Sequence, residues 1–263
     1  MEEIYGAKLF ERSSKKVELT QAGSVLYNYA REILDLHRAA RRAVADLMER
    51  VTGKLTIGAS LTIGEYILPR MLAAFSRSYP EVAYSVIIGN TELIHERALE
   101  GSVDIGLVEG HIEDSHLVIE EFLQDEMVLV VSKQHLLARK KYVVREDLET
   151  VPFVMREEGS GTRLALEEVL REISLKPVKI ITLGSTQAVK EAVEAGLGIS
   201  FLSKWALRKE IQLGSLKVVR VKDISITRGF YLIRNQARFE SRAGSEFRRY
   251  ILEVGIREFT GIG

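Results

Sequence analysis

The sequence predicts an α/β protein of two lobes, preceded by a short basic hairpin and one long helix. Three observations predict it. Strand and helix patterns alternate from residue 53 to 108 and again from 153 to 202, the order of parallel sheets covered on both faces. A strongly apolar stretch at 126–132 separates the two sets, and a late apolar strand at 229–233 follows both. Ahead of them, residues 24–51 hold neither Pro nor Gly, as an uninterrupted helix requires.

At the N-terminus, Gly6-Ala7-Lys8-Leu9-Phe10-Glu11-Arg12 leads through Ser13-Ser14 into Lys15-Lys16-Val17-Glu18-Leu19. This reads as two short strands around a polar turn, with Arg12, Lys15 and Lys16 beside the turn. Thr20 then offers a capping oxygen to the helix that opens Gln21-Ala22-Gly23. Within this helix Ala22, Leu26, Tyr29, Ile33, Leu36, Ala40, Ala43 and Leu47 fall at alternating steps of four and three, the spacing of a two-helix seam. Leu26, Tyr29, Ile33, Leu36, Ala40 and Leu47 are therefore the expected dimerisation contacts. Val25, Val44 and Met48 widen the stripe, so packing on its own chain is the alternative. From Ala22 to Val51 the helix would reach about 45 Å at ~1.5 Å per residue.

The first lobe follows as strand 54–59, helix 65–79, strand 82–88, helix 91–100 and strand 103–108. After strand 126–132 the second lobe carries strand 153–155, helix 162–173, strand 178–183, helix 185–195 and strand 199–202. Strand 229–233 and a final helix at 241–253 are expected to return to the first lobe, and two crossings make a hinge. The expected division is 1–21 for the hairpin region, 22–52 for the long helix and 53–263 for the lobes. Lobe I takes about 53–131 and 229–263, and lobe II about 132–228.

With 37 basic and 37 acidic residues the chain is neutral, so affinity for nucleic acid would have to come from a local patch. The absence of cysteine excludes disulfides, thiolate zinc sites and thiol catalysis. A charged N-terminus and the lack of any span-length apolar stretch predict a cytoplasmic protein without membrane attachment.

Ligands of open α/β folds lie where parallel strands deliver the chain to helix N-termini. Four segments have that position: Ser60-Leu61-Thr62, Gly89-Asn90-Thr91, Glu158-Gly159-Ser160-Gly161-Thr162-Arg163 and Gly184-Ser185-Thr186-Gln187. They bring Ser60, Thr62, Asn90, Thr91, Gly159, Ser160, Gly161, Thr162, Arg163, Thr186 and Gln187 to one cleft. In the third segment glycines let the backbone curl, two hydroxyls and a helix N-terminus offer donors, and Arg163 can supply a forked contact. That chemistry suits a small anion, an inorganic oxyanion or compact carboxylate, with Ser60, Thr62, Ser160, Thr162 and Gln187 as leading contacts. The alternative at each segment is a capped helix start with no ligand. No cofactor is expected.

Lys8-Leu9-Phe10-Glu11-Arg12, then Leu19-Thr20-Gln21-Ala22-Gly23, then the long helix, closely resemble the wing and linker helix of LysR-type transcriptional regulators, and the resemblance runs to the C-terminus. It implies an effector-binding domain of the two-lobed, type II periplasmic-binding-protein-like fold behind a remnant of a winged helix-turn-helix. Glu2-Glu3-Ile4-Tyr5-Gly6 would end the recognition helix, with Met1 inside it. Arg12, Lys15 and Lys16 would then touch the DNA backbone, and sequence-specific binding by this chain alone is not expected. The partners implied are DNA in the intact family member, a small-molecule effector, and further copies in a homodimer or homotetramer. The Glu-Gly-Ser-Gly-Thr-Arg segment resembles members linked to sulfur, selenium or carbon-fixation control.

Other motifs weigh less. Gly196-Leu197-Gly198 lacks the third glycine of a dinucleotide fingerprint and reads as a helix stop. His111-Ile112-Glu113-Asp114-Ser115-His116 fits a solvated loop better than a metal site, and Trp205 fits packing. No hydrolase elbow, zinc-protease helix or Walker loop occurs, so no enzyme is expected. Glu109, His111 and Glu158 are the only titratable groups placed for catalysis, with no pairing between them. A sensory module without DNA binding is the rival reading.

Overall fold

Met1–Val51 and Thr52–Gly263 form two separate units in the computed structural model, which describes residues 1–12, 16–46, 51–110 and 112–255. In the first unit a helical turn, α1 (Glu2–Tyr5), precedes the antiparallel pair β1 (Phe10–Arg12) and β2 (Val17–Leu19), with Phe10 opposite Leu19. Glu2 Oε1 accepts from the backbone N–H of Leu9 at 2.6 Å and ties α1 to the hairpin. Helix α2 (Gln21–Asp46) starts on Thr20, whose Oγ1 accepts from Gly23 N at 2.9 Å while its hydrogen goes to Lys8 O at 2.7 Å. Lys15, Ser13, Ser14, Leu47, Met48 and the side chains of Arg12 and Ala43 lie outside the described residues. Lys16 lies 3.2 Å from Glu18 Oε1, both exposed. Tyr29, Ile33 and Leu36 are 61, 67 and 74 % exposed, so the apolar stripe is uncovered along its middle.

In the second unit β3 (Gly53–Ser60) runs parallel to β4 (Val82–Gly89) and β5 (Ile105–Glu109). Leu55, Ile57 and Ala59 of β3 are wholly buried, as a central parallel strand requires. Helices α3 (Leu61–Tyr66), α4 (Leu68–Ser78) and α5 (Thr91–Leu99) cover this sheet. The predicted single helix at 65–79 is two helices because Pro69 has no N–H to continue a ladder and takes the second position of α4.

The long β6 (Leu117–Ser132) and β11 (Ile226–Asn235) run through both lobes and pair antiparallel, with one bulge at Phe230/Tyr231. Only the second half of β6 was legible as a strand. Its first half, Val118-Ile119-Glu120-Glu121, turns polar groups toward solvent, whereas Met127–Val131 is buried between two neighbouring strands. Those neighbours are β9 (Ser200–Ser203) and β10 (Leu216–Val219), and β10 was not anticipated.

The second lobe adds α6 (Arg145–Leu148), the parallel pair β7 (Phe153–Arg156) and β8 (Ile180–Leu183), α7 (Gly161–Glu172), α8 (Thr186–Glu194) and α9 (Arg208–Leu213). Val154, Val189, Val193 and Leu202 pack on one face of its sheet, and Phe153, Leu166, Leu170 and Phe201 on the other. Helix α10 (Arg242–Arg249) comes back to α4, where Phe247 meets Phe75 at 5.0 Å between ring centres; it ends in a π-helical turn at Tyr250–Gly255. Each such buried ring contributes about 1.5–3 kcal/mol.

Candidate functional site

Parallel pairing puts the ends of β3, β4 and β5 side by side, with Ser60 opposite Gly89 and Ala59 opposite Leu107. The ends of β7 and β8 in the other lobe are adjacent for the same reason, Arg156 opposite Leu183. The loop 158–162 closes onto the first lobe: Glu92 N donates to Gly159 O at 3.1 Å and Asn90 Nδ2 to Glu158 O at 3.3 Å. Two glycines make this approach possible. Gly159 has φ +78°, and a Cβ on Gly161 would overlap the carbonyl of Glu109.

The four predicted helix starts divide into two kinds. Asn90 accepts from Leu93 N at 2.9 Å and Ser185 from Ala188 N at 3.1 Å, so these side chains serve as caps. Ser60 and Ser160 occupy the same position on α3 and α7 but cap nothing. Both hydroxyls are buried, at 0 and 1 % residue exposure, and have no hydrogen-bond partner among the described residues. Leaving a buried hydroxyl unsatisfied costs about 1–3 kcal/mol, which sets these two apart from the capping side chains of α5 and α8.

Below the loop lies a buried ionic network. Arg228 sits opposite Asp125 in the β6–β11 register, and its Nε donates to Asp125 Oδ2 at 2.9 Å. Its Nη2 lies 3.1 Å from Glu109 Oε2, an ion pair without the angles of a directed hydrogen bond. Thr162 bridges the two, donating to Glu109 Oε1 at 3.0 Å and accepting from Arg228 Nη1 at 3.1 Å. Ser203 donates to Asp125 Oδ1 at 2.7 Å. Burial nevertheless pushes the Asp125 carboxyl above its ordinary range, against the pull of Arg228 and Ser203.

At the other end, Lys190 of α8 lies 4.9 Å from the ring centre of Tyr66 of α3, while its ammonium pairs with Glu210 at 2.6 Å. Burial and the neighbouring Glu65 hold the Tyr66 phenol above its ordinary value. Arg156, 1 % exposed, grips Glu157 through Nε and Nη2 at 2.7 and 2.6 Å and donates from Nη1 to Thr186 Oγ1 at 2.9 Å. Burial opposes ionisation of Glu157, but these bonds hold its carboxyl below the usual range. Thr186 thus accepts from inside the protein and keeps its own hydrogen to give.

The remaining predicted residues are placed less simply. Thr62 is buried in the first turn of α3, and Thr91 donates to Glu109 O at 3.3 Å. Arg163 is bound to Glu167 at 2.7 Å and lies 3.6 Å from Glu158, so a contact with an anion would have to exchange those pairs. Gln187 is exposed and donates to Glu191 at 2.8 Å, one turn along α8. His111 lies outside the described residues; Asp114 is within 3.1 Å of both His95 and His116, and no group of three candidate metal ligands occurs among the described residues. Glu109 pairs with Arg228, a partner brought from 119 positions along the chain by strand pairing.

Residues 49–255 match the family model described as the LysR substrate binding domain. The chain belongs to the LysR family of transcriptional regulators. It is 40 % identical over 228 residues to the HTH-type transcriptional regulator CysL of Bacillus subtilis, covering 87 % of this chain and 76 % of CysL. It is 36 % identical over 241 residues to a probable RuBisCO transcriptional regulator of Phaeodactylum tricornutum, covering 89 % of this chain and 78 % of that one. Among solved structures, the regulatory domain of Synechocystis CcmR in complex with 2-PG superposes with a TM-score of 0.72 at 30 % identity, covering 78 % of this chain and 98 % of that domain. The fold is thus the two-lobed type II architecture of LysR effector domains.

Within this LysR chain, Glu109, Asp125, Arg228, Ser203, Arg156 and Lys190 are among the buried polar groups that sequence reasoning left out or left unpaired. A signal was present. Period two places Arg228 on the same strand face as Ile226 and Phe230, and a charge among buried apolar neighbours demands a partner. No described helix is long and apolar enough to cross a membrane.

Proposed function

We propose that this LysR-type regulator responds to a small oxyanion or compact carboxylate held between its lobes by hydroxyl and backbone donors. The observation that carries the reading is the pair of buried, uncommitted serines, Ser60 and Ser160, at helix starts on opposite lobes. The hydroxyl of Thr186, the buried Thr62 and the first-turn N–H groups of α7 complete a set of donors that is rich in dipoles. Asn90, Thr91 and Gly159 shape the rim, and Arg163 and Gln187 belong to it through pairs they would have to exchange. The chain senses this anion and does not convert it: Glu109 and Asp125, the buried carboxylates nearest the loop, are both committed to Arg228. The likeness to the CcmR domain, whose solved complex holds 2-PG, supports an anion and puts 2-PG among the candidates.

Thermal unfolding against sulfate, sulfite, phosphate, 2-PG and small carboxylates tests the reading, because a ligand at 100 times its Kd adds about 2.7 kcal/mol to native stability. A selective rise in Tm, lost in Ser60→Ala and in Ser160→Ala, is expected. A rise that survives both substitutions would place the anion elsewhere.

A further inference from the structure

We propose that the Glu109–Arg228–Asp125 triad holds Thr162 as a positioning residue, joining the loop at the head of α7 to the two strands that run through both lobes, so that an anion on that loop is sensed at the hinge. This rests on the anion reading above.

Thr162 is the joint. Its hydrogen goes to Glu109 and its lone pair takes the Arg228 N–H, so its hydroxyl is spent inside the protein while that of Ser160, two residues earlier, is free. Its partners sit on separate elements: Glu109 ends β5, Arg228 lies on β11, and Asp125 faces it from β6. The assembly is buried, none of Glu109, Asp125, Thr162 or Arg228 being more than 5 % exposed. Two carboxylates share one guanidinium, and moving either away leaves a buried charge without its partner. The backbone gives no slack, because Gly161 lies against the Glu109 carbonyl with no room for a Cβ. Ser160 therefore cannot shift toward a ligand without drawing on Thr162, and Thr162 cannot shift without disturbing β5 and the pair of through-running strands. An anion that prefers one setting of Ser160 thereby biases one setting of the hinge.

Hydrogen exchange followed by mass spectrometry tests this on the full chain, with sulfate, phosphate and 2-PG as probes. Thr162→Val removes both hydrogen bonds and keeps the branched shape, Thr162→Ser keeps the hydroxyl, and Glu109→Gln breaks the joint from its other side. Without ligand, peptides covering 117–132 and 226–235 should exchange at least about threefold faster in Thr162→Val and Glu109→Gln than in wild type, with Thr162→Ser at the wild-type rate. Peptides covering 186–194 should be unchanged. An anion that protects 117–132 and 226–235 in wild type and in Thr162→Ser should leave them unprotected in Thr162→Val. Wild-type exchange in ligand-free Thr162→Val, or the same anion-dependent protection as wild type, would overturn the proposal. If no probe protects wild type anywhere, the anion reading fails for these anions while the ligand-free comparison still decides whether the joint exists.

Discussion

Asp125 is held between two donors, Arg228 and Ser203, yet burial leaves its carboxyl easier to protonate than in the unfolded chain. The sign of the resulting pH dependence follows. A carboxyl whose folded pKa is raised binds its proton more tightly when folded, so its contribution is fully present below the ordinary value of 3.8 and is lost as pH rises through the raised one. The stability of wild type relative to Asp125→Asn should therefore fall as pH rises from the ordinary value of 3.8 through the raised one, measured by urea unfolding at each pH. A difference that stays level would mean that Asp125 titrates alike in both states. The same residue shows why the network is vulnerable: removing Arg228 would strand two carboxylates at a cost of about 3–5 kcal/mol.

The start of α7 is the element on which the site depends, and its glycines are not equivalent to others in similar positions. A Cβ on Gly161 would lie 2.9 Å from the Glu109 carbonyl carbon, a backbone atom with no freedom to give way. Gly184, before α8, has nothing within 4 Å of such a Cβ. Gly161→Ala should lower stability by about 1–3 kcal/mol and abolish the anion-dependent rise in Tm, whereas Gly184→Ala should stay within about 0.5 kcal/mol of wild type. Equal urea midpoints for the two variants would show that the loop is not pressed against β5. Sequence reasoning reached these helix starts because strand ends and Ser, Thr, Asn and Gly signals are local. It could not separate Ser185, which caps, from Ser160, which does not, since that depends on where each side chain turns in the folded protein.

At the scale of the molecule, the long helix carries an apolar stripe that the described residues of its own unit leave exposed at Tyr29, Ile33 and Leu36. Their seam spacing suits a second copy of α2, in a family whose regulators assemble as oligomers. Replacing Ile33 and Leu36 together by Glu should shift the chain to a lower-mass species in sedimentation velocity while leaving the anion response of the second unit in place. An unchanged mass would move the main interface to another surface.

Local and periodic features were determined by the sequence alone: the paired strands of the hairpin, the Thr20 cap, the start of α2, and the strand–helix alternation that builds two lobes. These follow from backbone preferences and side-chain spacing within a few turns of chain. Tertiary structure alone decided that Arg228 meets Glu109 and Asp125, that β6 continues back to Leu117, and that Thr162 bonds inward while Ser60 and Ser160 keep free hydroxyls. Each of these turns on strand pairing or burial between residues far apart in sequence, and a buried charge or hydroxyl takes its meaning from the partner that folding supplies or withholds.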